Sequence, residues 1–246
     1  MTEQTNLTRR TFAKALGAGA MMLPFAGALA GCQAKDKGAA SAAAGTSSKG
    51  DTKSQVIVTM PASSEPSAGF NPFVSWGCGE HVHEPLIQST LLTTTVDMGF
   101  KNDLATDYKC SEDGLVWTFA IREDAKFTDG EALTAKDVAF TLNGIPNSET
   151  SECDLSMVKE ARATDDFTVE VELNKPFNAF LYTLAVIGIV PEHAYSDSYG
   201  EKPIGSGRYM LERWDKGQQV ILAANPDYYG EAPKMQRVVV VFKDED

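Results

Sequence analysis

No run of about 20 uninterrupted apolar residues occurs in the 246-residue chain, which excludes a polytopic membrane protein. Bases are in deficit. The 22 Lys and Arg stand against 34 Asp and Glu, a formal net charge of −12. A nucleic-acid binder would normally carry a Lys/Arg-rich face, so the acidic balance argues against that class. Nucleophile elbow, phosphate-cradling Gly-Lys loop and dinucleotide fingerprint are all missing. Gly205-Ser206-Gly207 lacks the two-glycine frame around a serine, and no Lys-Ser/Thr follows it. That glycine pair reads instead as a tight backbone turn. No carboxylates are visibly paired for acid/base work, and no cofactor is expected. The chain therefore reads as a non-enzyme, with an exported hydrolase as an alternative that would need a triad or a closed set of metal ligands. At 43% hydrophobic and 23% charged residues, the composition is globular.

The N-terminus reads as an address. A polar start leads to Thr8-Arg9-Arg10-Thr11-Phe12-Ala13-Lys14 and then to a weakly apolar run over residues 15–30, broken by Gly17, Gly19, Pro24 and Gly27. That run is too short and too interrupted to span a bilayer, and it fits a signal-peptide core. Arg9 and Arg10, with Phe12 and Lys14 at their spacing, resemble a twin-arginine export signal. Leu29-Ala30-Gly31-Cys32 resembles a bacterial lipobox, which would make Cys32 the lipidated first residue after cleavage; the alternative is a buried structural cysteine. Residues 33–53 contain six alanines with Gly, Ser, Thr, Lys and Asp, and no aromatic or large aliphatic side chain. Such a segment cannot offset its ordering entropy by burial and reads as a flexible tether. The organisation expected is a signal peptide over 1–31, lipidated cysteine plus tether over 32–53, and a folded domain over 54–246.

Within that domain the patterning predicts strands over 55–60, 115–122, 167–173, 220–223 and 237–242. The clearest is 167–173, where Phe167, Val169, Val171 and Leu173 alternate with Thr168, Glu170 and Glu172. A helix is predicted after Thr134, whose capping-box partner is Asp137, with Ala135, Val138, Ala139 and Leu142 on one face. Further helices are expected over 80–92, where Pro85 would confine or kink the segment, over 178–184, and briefly over 191–195. Asp113-Gly114 and Asp129-Gly130 are hairpin-turn signals. Strands and helices without regular βαβ alternation indicate an α+β fold.

Metal ligands gather in one place, Cys78, His81 and His83, and the chain has only one other histidine, His193. Thiolate and imidazole suit zinc, nickel or copper. On a helix, however, His81 and His83 would face different ways, and the default is a set of surface or hydrogen-bonded side chains. Besides Cys32 the cysteines are Cys78, Cys110 and Cys153; three thiols cannot all pair, so one free thiol is expected and the pairing stays open.

Five segments, in order, carry a resemblance. They are Ala68-Gly69-Phe70-Asn71-Pro72; His83-Glu84-Pro85-Leu86-Ile87; the run from Ser111-Glu112-Asp113-Gly114 through Asp129-Gly130 to Asp137-Val138; Pro203-Ile204-Gly205-Ser206-Gly207-Arg208-Tyr209; and Asn225-Pro226-Asp227-Tyr228-Tyr229-Gly230 with Pro233-Lys234. Together these resemble the extracellular solute-binding proteins of family 5, which serve dipeptide, oligopeptide and nickel ABC importers. In the second segment, His83 replaces the family's usual Tyr.

The resemblance implies the first lobe of a two-lobed fold of the periplasmic-binding-protein type II kind, a mixed sheet with flanking helices. The second lobe is missing and the chain is expected to be a truncated one. It also implies capture without catalysis, by closure of two lobes on a solute. The expected cargo is a peptide, with a nickel chelate second, and the expected partners are ABC permease subunits and a membrane met only through the lipid anchor. The location is then extracytoplasmic. The loop over 70–79 would border the cleft, with Phe70, Asn71 and Trp76 near the solute and the backbone of Gly77, Cys78 and Gly79 free to approach it. Metal trafficking through Cys78, His81 and His83 is the alternative function.

Overall fold

Short strands rich in β-branched and aromatic residues dominate the computed structural model, which describes residues 54–66, 68–74, 85–147 and 154–244. All of these lie in one unit, Ser48–Asp246. In chain order the strands are β1 (Gln55–Pro61), β2 (Leu92–Thr94), β3 (Phe100–Asn102), β4 (Ala105–Cys110) and β5 (Val116–Ile121). After helix α1 (Ala135–Gly144) come β6 (Val158–Asp165), β7 (Thr168–Leu173), the short helix α2 (Phe180–Leu184), β8 (Tyr209–Asp215), β9 (Gln219–Ala224) and β10 (Arg237–Lys243). The α+β class expected from the patterning is the one observed, and its mixed sheet is real: β1 runs parallel to β10 while β10, β9 and β8 alternate in direction.

The second sheet, ordered β4-β5-β7-β6, is fully antiparallel. Its alternation works as the sequence implied. Val169, Val171 and Leu173 are buried with Phe119 and Ile121, and α1 lays Val138 and Leu142 into the same core. Each such fully buried side chain contributes roughly 1.5–3 kcal/mol. On the opposite face Glu172 meets Lys159 at 2.7 Å and Glu170 meets Arg162 at 3.6 Å, exposed pairs that add little stability. Both hairpin signals hold: Gly114 and Gly130 take positive φ, 73° and 94°, at their turns.

Asp137 caps α1 and does more. Its Oδ2 accepts from the Thr134 backbone N–H at 2.9 Å and from the Thr134 hydroxyl at 3.1 Å, and its Oδ1 accepts from Glu192 N–H at 3.0 Å. One turn later the Thr141 hydroxyl accepts from Val190 N–H at 3.1 Å. The helix thereby holds residues 190–192, which lead into a 3-10 turn at Glu192–Ala194, the short helix expected there.

The helix expected over 80–92 is not formed in its described part. Residues 85–91 are irregular and Leu92 opens β2. Their carbonyls are claimed by distant segments rather than by an i+4 amide. Leu86 and Ile87 accept from Tyr209 and Gly207, Ser89 from Ile189, Thr90 from Leu104 and Leu91 from Ala105. The first part of that span, the signal and tether regions with Arg9, Arg10 and Cys32, and Cys153 lie outside the described residues.

A smaller core packs on one face of the first sheet, where Tyr209, Val220, Leu222, Val238 and Phe242 surround Ile87. Gly205 and Gly207 explain how that segment comes so close. A Cβ on Gly205 would stand 2.0 Å from the Ile87 carbonyl oxygen, and one on Gly207 2.5 Å from that of Leu86. Their φ values are not positive, so the glycines serve backbone approach and not the tight turn read from the sequence.

Candidate functional site: the loop at Phe70 and Asn71

The loop over 68–74 leaves β1 through a 3-10 turn, Ala62–Ser64, and is pinned by backbone. Phe70 N–H donates to Gly200 O at 2.9 Å, and Gly69, at φ 71°, has room for no Cβ because Gly200 O would lie 2.2 Å away. Glycine is thus required twice over at position 69.

Asn71 is 7% exposed and its amide is spent inside the protein. Oδ1 accepts from Phe73 N–H at 3.0 Å, and Nδ2 donates to the Tyr195 hydroxyl at 3.2 Å. Phe70 sits edge-on to Trp214 with centroids 5.6 Å apart. Its carbonyl accepts from Gln88 Nε2 at 2.9 Å, and the same nitrogen reaches the Tyr199 hydroxyl at 3.2 Å. Tyr199 in turn donates to Ile204 O at 2.8 Å. Burial pushes the Tyr199 hydroxyl far above its ordinary pKa, with the Gln88 hydrogen bond pulling the other way, so it acts as a neutral donor. Phe70 and Asn71 therefore stand together on a wired platform. Trp76, Gly77, Cys78 and Gly79 lie outside the described residues, as do His81 and His83.

Gln88, Tyr195 and Tyr199 escaped sequence reasoning. The one available signal was a Gln-Ser-Thr run, residues 88–90, set inside an apolar stretch, a pattern that demands buried hydrogen-bond partners. Behind Phe70, Trp214 donates its indole N–H to Glu65 Oε1 at 2.8 Å and forms one wall of a groove of about 540 Å³ with Ile204, Leu211 and Lys216. Lys216 Nζ lies 5.0 Å from the Trp214 ring centroid and 2.6 Å from Glu201.

No set of three or more metal-ligating side chains gathers among the described residues. His193 Nε2 lies 2.8 Å from Asp129 Oδ2, and that hydrogen bond raises the imidazole pKa against a small opposing desolvation. Cys110 is a free, exposed thiol. No helix among the described residues is long and apolar enough to cross a membrane.

Comparison with known proteins bears on the family and the fold. Residues 99–246 match the model described as bacterial extracellular solute-binding proteins, family 5 Middle. The "Probable D,D-dipeptide-binding periplasmic protein DdpA" of Escherichia coli K12 is 38% identical over 155 residues, covering 57% of this chain and 29% of the relative. Protein XP55 of Streptomyces lividans is 31% identical over 218 residues, 85% of this chain and 39% of the relative. Among solved structures, NikZ from Campylobacter jejuni in complex with Ni(L-His) superposes with a TM-score of 0.68 at 28% identity, over 78% of this chain and 39% of that one. The oligopeptide-binding protein AppA from Bacillus subtilis, with a nonapeptide, gives 0.67 at 28% identity over 77% and 40%. The chain spans between about three and four tenths of the length of these relatives. Its fold is that of part of a two-lobed type II binding protein, and the protein belongs to family 5 of the bacterial extracellular solute-binding proteins.

Proposed function

We propose that the protein is the extracytoplasmic solute-binding component of an ABC importer and that its cargo is a peptide. The observation that carries this reading is family membership together with 38% identity to a relative named for D,D-dipeptide binding. Arg9 and Arg10 would direct export, and Cys32 would carry the lipid anchor. The loop over 70–79 is proposed as one wall of the cleft. Asn71 sets its shape, Phe70 and Trp76 supply apolar contact, and the backbone of Gly77, Cys78 and Gly79 comes close to the solute. Capture would follow from closure of this wall against a second lobe, since a ligand touching both lobes stabilises only the closed state. No bond is made or broken in such a cycle, and release is to permease subunits.

Calorimetric titration tests this. Dipeptides and longer peptides should give saturable heat, and Trp76→Ala should weaken it by at least about tenfold, a loss of some 1.4 kcal/mol. Absence of heat with every peptide, with saturable heat from Ni(L-His), would favour the second reading, a nickel-chelate receptor. The Ni(L-His) complex of NikZ, at 28% identity, keeps that reading alive. Within it, loss of the heat on replacing Cys78, His81 and His83 would assign the metal to those side chains.

A further inference from the structure

Glu65 stands where β1 and its 3-10 turn give way to the loop over 68–74, and its N–H closes that turn on Ala62 O at 3.1 Å. Its half-buried carboxylate reaches residues 149 and 152 positions further along, at the turn between β8 and β9. Oε1 accepts from the Trp214 indole N–H at 2.8 Å and from the Gly217 amide at 2.8 Å, and Oε2 from the same amide at 3.0 Å. Gly217 can offer that amide because the turn closes without it. Gln218 N–H donates to Asp215 O at 2.9 Å, and Gly217, third in the turn, takes a positive φ of 74°. Hydrogen bonds to an ionised acceptor are roughly twice as strong as neutral ones.

Trp214 carries the contact on to the loop. Its ring stands edge-on to Phe70, with centroids 5.6 Å apart and planes at 69°, a geometry that aromatic pairs prefer. Both polar groups of the Phe70 backbone are already committed, the N–H to Gly200 O at 2.9 Å and the carbonyl to Gln88 Nε2 at 2.9 Å. Residues 88 and 200 thus fix the backbone, and Trp214 borders the ring. An indole without its acceptor can change rotamer, and the Phe70 ring then loses the neighbour that sets its direction.

We propose that Glu65 is a positioning residue of the cleft wall: its carboxylate locks Trp214, and Trp214 holds the Phe70 ring in its place on that wall. This rests on the reading of residues 70–79 as one wall of a peptide-binding cleft. Glu65 acts through Trp214 and not by touching the solute. Oε1 alone serves both donors, so glutamine, whose side-chain oxygen is also an acceptor, preserves the lock. Leucine, of similar size and without an acceptor, abolishes it.

Hydrogen exchange of the full 246-residue chain, paired with calorimetric titration of peptides, separates this role from a general contribution to stability. In Glu65→Leu the Phe70 amide should exchange at least about tenfold faster, while the amides of Val169 and Val171, central in the other sheet, keep their rates. Peptide affinity should fall by at least about tenfold in Glu65→Leu and stay within about twofold of the parent in Glu65→Gln. Glu201→Gln, which breaks only the exposed Lys216 pair at the same turn, should change neither readout. Should Glu65→Leu not fold, Trp214→Phe, which keeps a ring and loses the indole N–H, takes its place with the same expectation. Unchanged exchange at Phe70, equal acceleration in both sheets, glutamine as damaging as leucine, or affinity indifferent to Glu65→Leu overturns the proposal. A parent chain that binds no peptide overturns the reading of the cleft instead, and the Phe70 exchange rates still decide whether Glu65 positions the loop.

Discussion

Arg122 holds its guanidinium carbon 3.9 Å from the centroid of the Tyr229 ring, while the Tyr229 hydroxyl donates to Asp103 Oδ1 at 2.9 Å. Tyr229 belongs to the connection from β9 to β10, and Arg122 and Asp103 flank the strands of the other sheet, so this contact fastens one sheet to its neighbour. Arg122 is itself fixed by Asp124, at 2.6 and 2.9 Å. Burial first, and the Asp103 charge second, drive the Tyr229 hydroxyl far above its usual pKa, so it stays a donor across the accessible pH range. Tyr229→Phe should therefore cost about 1–1.5 kcal/mol in urea unfolding by loss of the hydrogen bond alone. Tyr229→Ala should cost about 3 kcal/mol or more, because the ring and its cation contact go as well. Equal losses for the two variants would show that the hydroxyl, not the ring, fastens the sheets.

The Gly205-Ser206-Gly207 segment makes opposite predictions for adjacent positions. Gly205→Ala pushes a methyl into the Ile87 carbonyl, an overpacking expected to cost about 3 kcal/mol. Ser206 is fully buried and its Oγ has no partner among the described residues, while its carbonyl accepts from the Ser89 hydroxyl. Ser206→Ala removes an unsatisfied group and keeps that bond, so stability should stay level or rise by about 1 kcal/mol. Thermal unfolding of the two variants checks both signs.

Asn71→Ala leaves the buried Phe73 N–H without its acceptor and should destabilise by about 1–3 kcal/mol. Asn71→Asp restores an acceptor at Oδ1 and should recover part of that loss. If the alanine variant were as stable as the parent, the loop would not depend on this side chain for its shape.

The His193–Asp129 pair gives a pH prediction. A folded-state pKa raised above the unfolded value means that stabilisation is complete below about pH 6.5 and is lost as pH rises through the elevated folded value. Both side chains are partly exposed, so solvent screens the pair and the effect is small. Urea midpoints measured from pH 6 to pH 8.5 should fall in the parent and stay flatter in Asp129→Asn. Identical slopes would remove the pair as the cause.

These residues also show what the sequence could and could not convey. Alternation at 167–173 and the Thr134–Asp137 cap were legible because each depends on neighbours within a few positions. Strand β6 was not, since two register breaks and only small or single apolar residues on its inner face, Ala161 and Val158, erase the period of two. The helix expected over 80–92 failed, in its described part, for the opposite reason. Its local pattern was plausible, but the Leu86, Ile87 and Ser89 carbonyls serve amides 100 or more residues away, and those of Thr90 and Leu91 serve Leu104 and Ala105 instead of an i+4 amide. At the candidate site, Phe70 and Asn71 stood out through resemblance. Their supports Gln88, Tyr195 and Tyr199 could not, because the contacts that recruit them run from 18 positions of chain, for Gln88 to Phe70, to 111 and 124 for the two tyrosines, all beyond the reach of a local pattern.

The parallel pairing of β1 with β10 sets a timetable for biogenesis. Gln55 lies opposite Arg237, so the opening strand emerges early from the ribosome yet meets its mate only when nearly all of the described chain has been made. Contacts so remote in sequence close late and slow the search for the native topology. Until then the strand's backbone is unpaired, and chaperone capture of the nascent chain should concentrate on that uncharged, β-branched segment.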